Sequence, residues 1–506
     1  MPTTLVRNAA WAIAWDAARG RHVYARDVDV AFTDDRITHV GPGFAGEAGT
    51  VIDGAGLMVM PGLVDIHAHP QSQPVQRGLR EEHGVRHHYM TGLYERMQAF
   101  GGATTEDMAA GFEAAACELL LSGVTTLCDI GVVFPGWTEL FARSGLRGFL
   151  APSFGSGTWK LEVDHRLDFA WDEAAGREAF DRTLAFLDEL AAEPSGRLTG
   201  VVSPTQIENC TGDLLRDAFD AARERNIPYT FHAAQGVWEV QEMLRRHGRT
   251  PVQWAHDLGV LAPGTILGHA MFLDRHSWIN WCTDEDLGIL ADSGTAVAHC
   301  PTPFSRYSHL MENFGDYVRA GVTMGIGTDC SPHNMIEEMR KVSTFARIAG
   351  RDVEATSLDQ VFHAATVGGA SALLRDDIGR LAPGMKADIV LVDLANPWMR
   401  PAHDPLRSLV FHAADRAVRD VFVDGRQLVA EGRVLSLDHA DACDRLDAAQ
   451  ARWIEGVPAR DFRGLRSATG LAPAPGSSQT PCRKGARRPA SGRRPVAVDL
   501  RRVAPN

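Results

Sequence analysis

The sequence predicts an α/β protein: a (β/α)8 TIM barrel with a small β-sandwich domain built from its N- and C-terminal segments. Two observations carry that prediction. From about residue 60, short apolar runs with polar or histidine-rich tips alternate with amphipathic helical stretches. Eight such strand–helix units follow one another over roughly 330 residues. Before and after this region the chain uses a different pattern, of short strands joined by tight turns. A doubly wound sheet is the rival fold, but it rarely runs to eight consecutive units.

The first segment contains HVYARDVDVAF, DRITHVGP and TVIDGAGLMVMPG, the rhythm of a small antiparallel sheet. The barrel strands read as 64–69, 124–130, 147–154, 198–207, 228–234, 265–272, 295–302 and 322–329. Between them lie helical patterns such as GDLLRDAFDAARERN, with apolar residues at i, i+3 and i+4. Strand language returns at ADIVLVDL (387–394) and AVRDVFVDGRQLVAEGRVL (417–435), where Asp424-Gly425 is placed as a hairpin turn. The organisation is therefore residues 1–58 and 385–436 in the small β-domain, 59–384 in the barrel, and a closing helix over 437–462. Residues 466–506 hold nine Lys and Arg against Asp499 alone and few large apolar residues, a composition expected to be disordered. A dispensable extension and a binder of an acidic partner are both open for it.

The 506 residues carry a formal net charge of −13, with 45% hydrophobic and 23% charged content. These values fit a soluble globular protein and exclude a general nucleic-acid binder, because the body offers no basic face to phosphates. No apolar run is long enough to span a bilayer. The N-terminal residues fit a strand better than a signal peptide. Eight scattered cysteines without a CxxC pair read as reduced thiols of a cytoplasmic protein.

In an eight-stranded barrel the chemistry gathers at the C-terminal strand ends. Strand 1 ends in His67-Ala68-His69, strand 5 in His232, strand 6 in His269, strand 7 in His299 and strand 8 in Asp329. Residues i and i+2 of a strand share a face, so both imidazoles of the HAH triplet enter the barrel mouth. With His232 and Asp329 they supply three nitrogens and one oxygen, a set that suits Zn2+ or Fe2+ holding a water of lowered pKa. Each piece alone has a plainer reading. A lone HxH is often structural, a single buried histidine is often just packed, and Asp329 could cap a helix. Their coincidence at the strand ends favours a bound divalent metal ion, zinc first and Fe2+ second.

The segments MPGLVDIHAHP, FHAAQ, LGHAMFLD, VAHCP and GTDCSPHN, followed by LAPGMKADIVLVD, resemble the amidohydrolase superfamily. The resemblance is to its cytosine deaminase, chlorohydrolase and triazine hydrolase branch, and covers about residues 5–455. It implies that His67, His69, His232 and Asp329 hold the metal. By the same likeness His269 holds or polarises the attacking water and Asp329 shuttles its proton. SPTQIENC, at the end of strand 4, offers no lysine for carbamylation, which implies one metal rather than a bridged pair. Relatives of this kind are usually homo-oligomers.

One departure bears on the reaction. Deaminases of this branch have His-x-x-Glu after strand 5, whereas this chain has His232-Ala-Ala-Gln235. A glutamine amide cannot act as general acid or base. Glu239 and Glu242 follow on a helix expected to run away from the mouth. The glutamine shifts the expectation toward amides, ureas and N-substituted heterocycles that need less ring protonation, although Gln235 could also simply pack or orient substrate. His299, Arg306 and His333 are candidate substrate contacts, as are Tyr307, Asn334, Trp159 and Trp238, and each could equally be packing. EEHGVRHHYM (81–90) reads as an irregular loop over the mouth.

The sequence-level reading is a metal-dependent amidohydrolase cleaving a non-peptide carbon–nitrogen bond in a small planar molecule. The alternatives are a chlorohydrolase or aminohydrolase of triazine- or pyrimidine-type rings, and a catalytically inactive scaffold barrel.

Overall fold

The computed structural model describes residues 2–79, 81, 85, 87–161 and 165–460. The basic tail and part of the 81–90 stretch therefore lie outside the described residues. Eight parallel strands form the central barrel: β1 (Leu63–Ala68), β2 (Val124–Gly131), β3 (Arg147–Phe154), β4 (Leu198–Gly200), β5 (Tyr229–Ala233), β6 (Thr265–His269), β7 (Ala296–His299) and β8 (Thr323–Ile326). Their hydrogen-bonded order is β4-β3-β2-β1-β8-β7-β6-β5. Bridges Val202–Tyr229 and Gln206–His232 close the circle between the β4 segment and β5. The strands read as near-continuous apolar runs because helices cover the outer face while side chains fill the inside.

The terminal segments form one continuous nine-stranded sheet. Thr4–Asp16 pairs antiparallel with Arg21–Thr33, but parallel with Thr50–Asp53 and with Leu57–Pro61. The sheet is thus mixed, where the strand-and-turn rhythm alone suggested antiparallel pairing. Register in a mixed sheet is set by long-range pairing, which local alternation does not report. The Asp424-Gly425 turn is as expected: both residues have positive φ (48° and 71°), as a two-residue primed hairpin requires.

A buried ion cluster joins the sheet to the base of the barrel. Arg147 opens β3 and is wholly buried. Its Nε and Nη2 each donate to Asp388 at 3.1 Å, and Nη2 also donates to Asp424 at 2.5 Å. Lys386 bridges Asp424 at 3.4 Å and Asp35 at 2.5 Å. Two carboxylates hold the guanidinium charged against its burial cost. The site end of the barrel is thereby left free of this structural work.

Four helices matter for the site: α1 (Leu93–Ala99), α2 (Thr105–Leu121), α3 (Val237–His247) and α4 (His439–Arg460). The expected closing helix is α4, and it packs on α2 through Leu446, Ala449, Trp453 and Val457. Ion pairs Arg445–Glu113 and Arg452–Asp107 flank that contact. Gln450 Nε2 donates to the carbonyls of Val75 (2.6 Å) and Arg77 (2.7 Å), pinning the segment that follows β1. Among the described residues no helix is long and apolar enough to cross a membrane, and the seven cysteines are free thiols.

Breaking the buried cluster leaves uncompensated charges. Arg147→Ala is expected to cost about 3–5 kcal/mol of stability, read as a lowered midpoint in urea unfolding. A shift below about 1 kcal/mol would show that the cluster does not hold the sheet to the barrel.

Candidate metal centre and active-site cavity

Space for the site is made by residues without side chains. A Cβ on Gly268 would lie 2.7 Å from His67 Cε1, and one on Gly327 would lie 2.7 Å from His67 Cβ. Three strand ends around the site carry non-glycine residues in the left-handed region: Ala234 (φ 52°), His269 (φ 81°) and Asp329 (φ 59°). Such backbone costs energy and persists where surrounding structure enforces it. Asp65 supplies part of that enforcement. It accepts from the His67 N–H at 3.1 Å and from the Thr328 hydroxyl at 2.6 Å, tying β1 to β8 below the metal candidates.

His67, His69, His232, His269 and Asp329 come together as the strand-end argument expected. His69 Nδ1 lies 2.8 Å from the Ile130 carbonyl, and His232 Nδ1 2.6 Å from the Thr205 carbonyl. Each Nδ1 must carry the proton, because a carbonyl only accepts. The two Nε2 atoms then turn to each other at 3.2 Å. His69 Nε2 is 3.6 Å from Asp329 Oδ1, and His269 Nε2 is 3.9 Å from Asp329 Oδ2. His67 is fully buried, and neither ring nitrogen has a hydrogen-bond partner.

Ligand atoms of His67, His69 and His232 lie within 4.8 Å of one another, as do those of His67, His269, Cys300 and Asp329. Both groups share His67, so they surround one point. Burial lowers the His67 pKa well below its ordinary value and that of His232 to about 3, which keeps the rings neutral and their lone pairs available. Burial raises the Asp329 carboxyl to about 7. Orphaned imidazole nitrogens, facing lone pairs and one carboxylate form a donor set that fits a divalent cation of the zinc or iron type. The carbonyl partners of His69 and His232 are the outer contacts that orient metal-ligating histidines. Cys300 was not anticipated as part of this group. Burial and nearby Asp329 hold its thiol well above the usual range, so it stands as a neutral neighbour.

The cluster opens into a cavity of about 780 Å³ lined by His69, His232, His269 and Asp329 together with Gln206, Gln235, Trp159, Arg77, Arg96, Arg306 and Tyr307. Gln235 is buried, and its Nε2 donates to Gln206 Oε1 at 2.5 Å. Gln206 lies in the segment that follows β4 and bridges to His232. Glu239 folds back from the first turn of α3 and accepts from the Ala234 and Gln235 N–H groups at 2.7 and 2.8 Å. It fixes the backbone of the loop and does not line the cavity. Glu242 is taken by Arg245 and Arg246.

Glu208, which sequence reasoning passed over, is fully buried near Glu239. Burial first, and Glu239 second, hold its carboxyl well above the usual range. Burial and the neighbouring Glu239 both favour the neutral form of Glu208, while the backbone N–H groups that Glu239 accepts favour its charged form.

Several sequence candidates stand elsewhere. His299 is buried against Phe314, outside the main cavity. His333 is fully buried with Nδ1 3.9 Å from Glu118, behind the cavity wall and not lining it. Asn334 caps the helix Met335–Gly350. Trp238 packs on Tyr94 and Phe169. Arg306 lies half-exposed at the rim, 3.8 Å from Glu81. Arg96, on α1, was not among the sequence candidates.

A sequence model of the amidohydrolase family matches residues 58–428. A 5-methylthioadenosine/S-adenosylhomocysteine deaminase of Pelotomaculum thermopropionicum is 28% identical over 435 residues, covering 82% of this chain and 91% of the relative. A 5'-deoxyadenosine deaminase of Methanosarcina mazei is 27% identical, covering 85% and 94%. Among solved structures, the zinc complex of atrazine chlorohydrolase from Arthrobacter aurescens superposes with TM-score 0.75 at 22% identity, covering 88% of this chain and all of that one. A zinc-bound adenosine deaminase from Xanthomonas campestris gives TM-score 0.74 at 22% identity, covering 89% and 98%. At that identity the likeness concerns the fold.

Two outcomes follow from the geometry. Gly268→Ala should displace the His67 ring, so that the metal content of the purified protein falls well below that of the wild type; unchanged content would contradict the packing argument. Stripping metal with a chelator should lower the melting temperature and zinc should restore it, by about 3–4 kcal/mol at metal several hundred-fold above Kd. A chelator-treated protein that melts unchanged would sink the cation-filled cluster.

Proposed function

This chain belongs to the amidohydrolase family and is a metal-dependent hydrolase of carbon–nitrogen bonds; from that premise we propose that it cleaves an amide, urea or N-substituted heterocycle. The observation that carries the choice is the buried Gln206–Gln235 pair in the cavity wall. Two neutral amides stand where protonation of a ring nitrogen would require a carboxyl group. Substrates whose carbonyl is polarised directly do not need that proton.

In this reading His67, His69, His232 and Asp329 hold one divalent metal, zinc first. Such a metal supplies Lewis acidity toward a carbonyl oxygen and lowers the pKa of a water. Asp329 accepts a proton from the attacking water and returns it to the leaving nitrogen, its Oδ2 facing the His269 ring. His269 orients that water. Gln206 and Gln235 hold a polar edge of the substrate through their remaining amide hydrogen and oxygen. Trp159, also on the wall, offers a flat face for a planar group.

The second reading is deamination of an adenosine-type heterocycle, favoured by the activities that the curated relatives carry in their names. Dechlorination of a triazine is the third. A panel of 5'-methylthioadenosine, a chlorotriazine, an anilide and phenylurea separates them by ammonia, chloride or amine release. With Gln235→Glu, ammonia release from the nucleoside is expected to rise while anilide or urea cleavage falls about tenfold or more. Efficient deamination by the wild type, or indifference of every substrate to the substitution, would overturn the proposal.

A further inference from the structure

We propose that the substrate carries a carboxylate that docks on Arg96, at the arm of the cavity formed by α1 and the segment after β1. The inference deepens the hydrolase reading above and rests on it for the reacting end only.

Among the described residues the cavity wall carries three guanidinium groups in this arm, and two have carboxylate partners. Arg77 lies 2.7 Å from Glu118 and donates from Nε to Ser331 Oγ at 3.2 Å. Arg306 faces Glu81. Arg96 differs: it is 8% exposed, and among the described residues its one side-chain hydrogen bond is from Nη1 to the neutral Gln76 Oε1 at 2.6 Å. Its Nε is buried without a hydrogen-bond partner among the described residues. The Phe100 ring, 5.8 Å from the guanidinium carbon, adds only a weak cation–π contact. Glu95, the adjacent carboxylate, makes no ion pair with Arg96: its Oε1 is taken by the Thr91 hydroxyl and His165, and its Oε2 is buried without a hydrogen-bond partner among the described residues.

A guanidinium cannot shed its proton, so a buried one without a counter-ion is costly to keep. Natural structures retain such a group where a ligand completes it. Arg96 lines the same cavity as the metal candidates His69, His232 and Asp329. A cavity of about 780 Å³ also holds considerably more than one planar ring. The geometry therefore fits an elongated substrate, with its scissile bond at the histidine cluster and its carboxylate on Arg96. The planar fork of arginine pairs with a carboxylate through two parallel N–H···O bonds, which also sets the substrate's direction in the cavity.

The test uses the metal-loaded full chain, with phenylurea and 4-ureidobenzoate as matched substrates and benzoate and benzamide as matched ligands. Wild type is expected to favour 4-ureidobenzoate by about tenfold or more in kcat/KM, carried by KM. In Arg96→Gln the ratio of the two values should fall to about one, and Arg96→Lys should recover part of it. Circular dichroism and metal content report that both variants are folded and loaded. Benzoate, not benzamide, should raise the melting temperature of wild type and fail to do so in Arg96→Gln. Equal handling of both ureas by wild type overturns the proposal. So does a benzoate shift that survives Arg96→Gln, which would place the carboxylate on the metal. If neither urea is cleaved, ureas are excluded as the scissile group, and the benzoate shift alone then decides whether Arg96 is an anion site.

Discussion

At the mouth of the barrel, neutral imidazoles point lone pairs at one another within hydrogen-bond distance, and neither ring nitrogen of buried His67 has a hydrogen-bond partner among the described residues. The Ile130 and Thr205 carbonyls fix the protons of His69 and His232 on the far side of each ring. Lone pairs facing at 3.2 Å repel unless a cation lies among them. The surrounding structure is arranged to maintain this: glycines at 268 and 327 that clear room for His67, left-handed backbone at His269 and Asp329, and the Asp65 clamp between β1 and β8. These features each cost stability, and all converge on the same point.

The cost is met at the other end of the molecule. Arg147, Asp388, Asp424 and Lys386 bind the terminal sheet to the base of β3, far along the strands from the histidines. The helix α4 then reaches back over α2 and holds the segment carrying Arg77. Stability and chemistry are thereby separated along the strand direction, as barrel enzymes in general arrange them. In the proposed reading, the wall between the metal candidates and the rim selects the substrate. It is neutral at Gln206 and Gln235, aromatic at Trp159, and cationic at Arg96.

Much of this was legible from the chain. Period-two and apolar runs located all eight barrel strands, and the i, i+2 spacing of His67 and His69 put both on one face. Asp424-Gly425 announced its turn by residue type. What was not legible depends on contacts between residues far apart in sequence. The Gln206–Gln235 bond joins two strand ends, and the Glu208–Glu239 proximity joins a loop to a helix. No local pattern encodes either. Likewise, Arg96 is notable only because the folded chain buries it without a carboxylate. His333 shows the converse. Its place four residues after Asp329 suggested a substrate contact, but the turn carrying it leads behind the cavity wall. Strand-end position alone does not decide which residues line the cavity: His299 ends β7 outside it, while Asp329 and Gln206 lie past the ends of β8 and β4 and line it.

X-ray absorption at the metal edge of the purified protein, with the metal counted per chain, tests the cation centre most directly. The account predicts one divalent metal per chain with a shell of imidazole nitrogen and carboxylate or water oxygen, lost on His67→Ala or Asp329→Ala. A sulfur contribution from Cys300, a second metal, or a shell unchanged by those substitutions would contradict it.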